Sequence, residues 1–154
     1  MPNGLSLERR GRDQREQVRR LRPDVAFGAD IIAGFPTETA DMFARSLDLV
    51  EECRLTQLHV FPFSARPGTP AARMPQLNRD IVKQRARRLR EKGEAALRAH
   101  LDAQVGHRHL VLTERGGVGH TEQFTSVRLA APVAPGAILD LTMMGHDGRQ
   151  LLAA

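Results

Sequence analysis

Asp30-Ile31-Ile32-Ala33-Gly34-Phe35-Pro36-Thr37-Glu38-Thr39 closes an apolar run that begins at Val25. The run, VAFGADIIA over 25–33, is short, nearly continuous and rich in β-branched residues, so it predicts a strand buried on both faces. Gly34-Phe35-Pro36 breaks it. Thr37 can cap a following helix, and Glu38 and Asp41 fall where a helix dipole favours carboxylates. Phe43, Leu47, Val50 and Cys53 then recur every three or four residues and mark one apolar helical face. Gln57 to Phe63 is a second strand candidate. Strand, helix and strand at this spacing predict a βαβ unit with parallel strands and a right-handed crossover.

Outward from this unit, residues 64–78 hold prolines and a glycine and read as a loop. Asn78 can cap a long helix over about 79–103. Its apolar seam is Val82, Ala86, Leu89, Gly93, Leu97 and Leu101, and much of the rest is Arg or Lys. After Gly106 the pattern changes to short β segments at 108–114, about 123–130, 137–144 and 149–153, separated by Gly and Pro. Even spacing of short strands predicts a small antiparallel barrel, closed or nearly so. Residues 1–22 carry seven arginines and few apolar side chains, and predict a solvated helix or a tail. The organisation expected is therefore 1–22, 23–103 and 104–154, of mixed α/β and α+β class. No internal repeat is visible.

Composition narrows the function classes. The chain has 154 residues, 41% hydrophobic and 27% charged, as expected of an ordinary globular protein. No apolar run approaches the roughly 18 residues of a membrane span, and the polar start has no signal-peptide character, so a cytoplasmic location is expected. Cys53, the single cysteine, cannot form an internal disulfide or hold a zinc or iron–sulfur site alone. Its place on an apolar face predicts a packing residue. Net charge is +5, compatible with a nucleic-acid partner. Arg108, Arg115, Arg128 and Arg149 balance Glu114, Glu122, Asp140 and Asp147, so 104–154 is neutral and the excess lies before it. His107, His109, His120 and His146 are scattered without metal-ligand spacing, and no metal site is expected.

Two segments could hold a ligand, because both follow strands and so reach the C-terminal end of a parallel sheet. In the first, Gly34 would let a ligand approach the backbone, helix N-terminal amides could receive an anion, and Glu38 or Asp30 could accept hydrogen bonds. In the second, FPFSARPGTPAA over 61–72, Ser64 and Arg66 stand at the same rim, fixed by a rigid Pro-Gly-Thr-Pro path. On the residues alone, a plain strand-to-helix turn and a solvated surface loop remain open readings of the same segments.

Together these segments resemble the last third of the radical S-adenosylmethionine (SAM) domain of tRNA methylthiotransferases. Asp30–Thr39 is similar to that family's DIIVGFPGET-type signature, and Phe63–Ala71 to its YSPRPGTPA-type signature, in the same order. GHTEQFTSV (119–127) and TMMGHDGRQLLA (142–153) are similar to the family's TRAM domain, an OB-like RNA-binding barrel. The resemblance covers about 17–154 and is nearest the branch acting on threonylcarbamoyladenosine beside the anticodon. It implies a partial radical SAM (βα) barrel followed by a TRAM barrel, with SAM and 4Fe-4S clusters as the full-length cofactors. It places Asp30, Ile32, Gly34, Glu38, Ser64 and Arg66 near SAM. The family's CxxxCxxC motif is absent, so the chain is expected to be a fragment, inactive by itself, with no catalytic residue assigned. The missing N-terminal part of the enzyme is a candidate partner.

The resemblance also implies tRNA as partner, held at the anticodon arm. Phe124 could stack on a base, and His120, Thr121 and Arg149 could contact bases or phosphates. Since 104–154 is neutral, Arg85 and Arg88 on the basic helix are expected to supply phosphate contacts. Phe124 as a barrel core residue and the helix as a merely solvated face are the competing readings.

Overall fold

The computed structural model describes residues 14–154. The expected arginine-rich segment lies outside the described residues over 1–13, and 14–21 form a helix, α1. β1 (Phe27–Ala33), α2 (Ala40–Glu52) and β2 (Leu55–Pro62) follow as the βαβ unit. A 3-10 turn (Pro70–Arg73) leads to α3 (Arg79–Asp102). The chain then runs through β3 (Arg108–Glu114), β4 (Val118–His120), β5 (Ser126–Leu129), β6 (Ile138–His146) and β7 (Leu151–Ala153).

β1 and β2 pair in parallel, with Asp30 opposite His59 and Ile32 opposite Phe61. The expectation of burial on both faces is corrected. Ala33, Phe43, Val50, Leu55, Ala86 and Leu89 form a core on one face, joined by Ala29, Ile31, Leu58 and Val60. The opposite face is open, leaving Ile32 57% and Phe61 51% exposed. The apolar run is long enough for two covered faces, but α2 and α3 cover only one of them.

The α2 cap also differs from expectation. Thr39, not Thr37, is the N-cap, and its hydroxyl accepts from Met42 N at 3.1 Å. Asp41 lies in the first turn, while Glu38 precedes the helix.

Asn78 caps α3 by accepting from Asp80 N at 2.8 Å. The α3 seam serves two cores. Ala86 and Leu89 pack on the sheet, and Gly93 lies so near Leu58 that a Cβ would come within 2.9 Å of Leu58 Cδ1. One helical stretch further on, Leu101 is fully buried among Val111, Val127, Met143 and Leu151, with Leu97 packed alongside. Burying a leucine this completely stabilises by roughly 1.5–3 kcal/mol. Because the same helix contributes to both cores, it fixes the barrel relative to the sheet.

The barrel is closed, in the order β3-β4-β5-β7-β6. It is mixed rather than wholly antiparallel, because β5 and β7 pair in parallel. After β5 the chain crosses to β6, and the β6–β7 hairpin returns β7 alongside β5 in the same direction. Three-residue β4 was not foreseen. Its Gly119 is pressed against β3, where a Cβ would meet Leu112 O and Val111 Cγ1 at 2.6 Å. The strand expected over 123–130 is shortened to β5, because 121–125 forms a turn.

Candidate functional site

The turn after β1 is closed by an internal ion pair. Glu38 Oε2 accepts from Gly34 N at 2.8 Å and from Arg85 Nη1 at 2.7 Å, while Arg85 Nη1 also donates to Glu38 O at 2.8 Å. The Arg85 and Glu38 side chains are only 12% and 11% exposed. Gly34 adopts φ +83°, and a Cβ there would lie 2.7–3.0 Å from three carbons of Val82. Three of the expected site residues have a packing role. Gly34 leaves room for α3 to pack against the turn. Glu38 is committed to the turn and to α3. Arg85, expected among the phosphate contacts, faces inward. Arg88 remains exposed, with its guanidinium carbon 5.1 Å from the Phe43 ring centroid.

Beyond this turn, four of the six expected ligand-binding residues share one cavity. Asp30, Ile32, Ser64 and Arg66 line about 660 Å³ together with Phe61, Phe63 and Thr69. Phe63 N donates to Ala33 O at 2.8 Å, and Phe35 and Phe63 meet edge-on at 5.2 Å. Thr69 caps the 3-10 turn and donates its hydroxyl to Arg66 O at 2.8 Å, fixing the backbone that carries Arg66. A carboxylate, a hydroxyl and a guanidinium beside Ile32 and Phe61 suit a ligand with one apolar ring and charged groups of both signs.

A second groove, about 650 Å³, lies between β2, α3 and the barrel. It collects His120, Phe124 and Arg149 with Arg90, Gln57 and Phe61. Phe124 is 70% exposed and is not a core residue. Its φ is +62°, a left-handed conformation that costs a bulky side chain roughly 1–2 kcal/mol. Its ring stacks on His120 with centroids 4.7 Å apart and planes 18° from parallel. His120 Nδ1 is 3.0 Å from Glu114 Oε1.

Thr121, expected to touch RNA, is buried. Its hydroxyl accepts from Gln123 N at 3.3 Å and Thr125 N at 3.2 Å, so it builds the turn that presents Phe124. Two further contacts brace that turn. Gln57 Nε2 donates to Phe124 O at 3.4 Å, and His100 Nε2 is 3.0 Å from Thr125 Oγ1. Burial, with a smaller contribution from the charge of His109, holds His100 below the usual imidazole range. Arg149 N donates to Asp147 Oδ1 at 2.9 Å. Backbone donation from Gln150 and Arg149 lowers the Asp147 carboxyl to about 2.

No family model matches the sequence. Curated relatives do. A threonylcarbamoyladenosine tRNA methylthiotransferase MtaB of Rickettsia prowazekii is 45% identical over 132 residues, covering 86% of this chain and 31% of the relative. A tRNA-2-methylthio-N(6)-dimethylallyladenosine synthase of Sphingopyxis alaskensis is 37% identical over 134 residues, 82% of this chain and 30% of the relative. A synthase of the same name from Acidothermus cellulolyticus is 45% identical over 101 residues, 65% and 20%. Over most of its length the chain matches a C-terminal portion of the tRNA methylthiotransferases. It spans about a third of the length of the first relatives it matches.

Against that family, the donor set does not suit an iron–sulfur cluster held by this chain. Cys53 is the one cysteine of the sequence, and it packs against the sheet core, near Arg15 Nη1 of α1. Among the described residues no three His, Cys, Asp or Glu side chains converge as metal ligands, and no helix is long and apolar enough to cross a membrane. Sequence reasoning missed Gln57, Phe61 and Arg90 as groove residues. The signal was available for two of them, since Gln57 and Phe61 alternate with Leu58 and Val60 and so face away from the helices.

Proposed function

We propose that this chain supplies two surfaces of a tRNA methylthiotransferase: one wall of the SAM pocket and an RNA-holding groove beside it. The observation that carries the reading is that the two cavities share Phe61. The cavity of Asp30, Ile32, Ser64 and Arg66 is built from the two segments that resemble the radical SAM signatures. The groove of His120, Phe124 and Arg149 draws on the segment that resembles TRAM. Their common wall would bring a bound nucleotide next to the cofactor.

In this reading the sheet unit is part of a radical SAM (βα) barrel and the closed barrel is a TRAM, OB-like domain. Ile32 and Phe61 offer apolar surface to the adenosine of SAM. Asp30, Ser64 and Arg66 offer partners for its polar groups. When bound with its cluster, SAM would supply the radical chemistry. The chain's own contribution is to bind and orient, and by itself it is expected to be inactive. The name of the R. prowazekii relative favours threonylcarbamoyladenosine as the modified nucleoside, and the family resemblance puts it beside the anticodon. Phosphate contacts fall to Arg88, Arg90 and Arg149, since Arg85 is turned inward.

The test is a fluorescence-anisotropy titration of a labelled tRNA anticodon arm with the whole chain at 50 and 200 mM salt. Three released counterions give a slope near −2.1, so affinity is expected to fall about eighteenfold across that range. Binding that is absent, or indifferent to salt, overturns the RNA-holding role. Equal binding of any structured RNA favours a general RNA-binding module over the enzyme-specific reading.

A further inference from the structure

We infer that the outer face of β3 and β6 joins two copies of this chain about a two-fold axis. Leu110, Leu112 and Ile138 form the centre of the contact, and Arg108 of each copy is set against Glu114 of the other. The inference does not depend on the RNA-holding role proposed above.

Along the strands of a closed barrel, residues alternate between core and outer surface, and the outer set is ordinarily polar. β3 keeps the alternation. Val111 and Thr113 are buried, while Arg108, Leu110, Leu112 and Glu114 are exposed. Two of the four outward residues are nonetheless aliphatic, with Leu110 48% and Leu112 47% exposed. Ile138, 67% exposed, stands directly opposite Leu112 on β6. Single exposed aliphatic side chains are commonplace. Three at neighbouring positions of one sheet face make a patch, on the order of 300 Å² per copy, and exposed patches of a few hundred Å² mark contact surfaces.

The charges around the patch select its occupant. Arg108 is paired with Asp140 at 2.9 Å, and Glu114 stands at the other end of β3, so this face holds more carboxylates than guanidinium groups. It does not attract phosphate, which argues against nucleic acid. Along β3 the outward side chains run cation, apolar, apolar, anion. That order is its own complement when reversed. A two-fold axis in the contact plane, crossing β3 at Val111, lays two β3 strands antiparallel and face to face. Leu110 then meets Leu112 of the second copy, and Arg108 meets Glu114, each contact occurring twice. At about 3.3 Å per residue, Arg108 and Glu114 are about 20 Å apart, with both leucines between them. An axis along the strand would instead stack Arg108 on Arg108. Both charged ends already have exposed internal partners, Asp140 and His120, which are worth little and can be shared. Val111 is opposite Leu139, so the same axis sets Ile138 beside Asp140 of the second copy, and that contact weakens the fit. The apolar centre is also small against the roughly 800 Å² per partner of a standard interface. The dimer is therefore weak and concentration-dependent.

The experiment is sedimentation velocity of the whole chain from about 5 to 500 µM, where a weak dimer populates both states. A reversible monomer–dimer equilibrium is expected, and Leu112→Lys is expected to leave the chain monomeric. Arg108→Glu and Glu114→Arg are each expected to weaken the dimer at least about tenfold, since two attractive pairs become repulsive. An equimolar mixture of these two variants is expected to dimerise again, because the mixed pair has opposite charges at both ends. A single chain carrying both swaps is expected to dimerise like the parent. All the substituted side chains are exposed, so melting close to the parent's is expected throughout. A chain monomeric over the whole range overturns the inference and leaves the patch to the rest of the enzyme or another protein. A dimer indifferent to Leu112→Lys forms through a different face and overturns it as well. If neither the mixture nor the double swap restores the dimer, the antiparallel axis is wrong and the inference fails.

Discussion

Replacing Arg85 by methionine tests whether Glu38 belongs to the fold or to a ligand site. Methionine keeps the length of the apolar stem and removes the guanidinium. The Glu38 carboxylate, 11% exposed, would retain only the Gly34 N–H as partner. Stripping one member from a buried ion pair costs about 3–5 kcal/mol, because the other is left charged and unpaired. The Gly34 bond remains and burial is incomplete, so the lower end, about 3 kcal/mol, is expected. Glu38→Gln keeps an oxygen that can accept from both donors and loses only the charge assistance, about 1–2 kcal/mol. The double variant should cost less than the two added together by at least about 1 kcal/mol, since the residues share one interaction. Urea unfolding reads this directly. With a slope near 1.5 kcal/mol/M, Arg85→Met lowers the midpoint by about 2 M. A shift under about 0.3 M, or strictly additive single effects, would show that the pair is not holding the turn to α3.

Two further outcomes follow from the same region and from the Phe124 turn. Gly34→Ala should destabilise by at least about 2 kcal/mol, from the left-handed backbone and the collision with Val82. Val82→Ala in that background should recover part of the loss in the same urea assay, and no recovery would place the whole cost in the backbone. For His100, the folded imidazole lies below its unfolded range of about 6.5, so the unfolded chain takes up the proton first. Its contribution is therefore present above about pH 6.5 and is lost as pH falls through and below that value. The urea midpoint should drop between pH 7.5 and 5.5, and less so in His100→Gln. An equal drop in both would remove His100 as the cause.

The elements that could be read from the chain were those where one periodicity sufficed. The α3 seam from Val82 to Leu101 named its buried residues correctly, because an amphipathic helix writes its core directly into three- and four-residue spacing. The βαβ unit was legible for the same reason. What spacing could not show was which face of β1 would be covered. The run VAFGADIIA is compatible with one face or two, and the helices supplied one. The parallel β5–β7 pair was hidden because pairing direction depends on how β5 connects across the barrel, not on composition. At the site, Asp30, Ile32, Ser64 and Arg66 came together as the strand-end rule required. Glu38 and Arg85, 47 residues apart, could not be seen as partners from sequence, so each was assigned outward to a ligand. Thr121 is buried for a reason its spacing could not show, since its hydroxyl serves the turn that displays Phe124.

The measurement that bears most directly on the account is photo-crosslinking of the whole chain to an anticodon arm carrying 4-thiouridine in its loop, followed by mass spectrometry of the linked peptides. Crosslinks are expected in the Phe124 turn and in β2 near Phe61, the wall common to both cavities. Crosslinks that leave out both the Phe124 turn and β2 would contradict it.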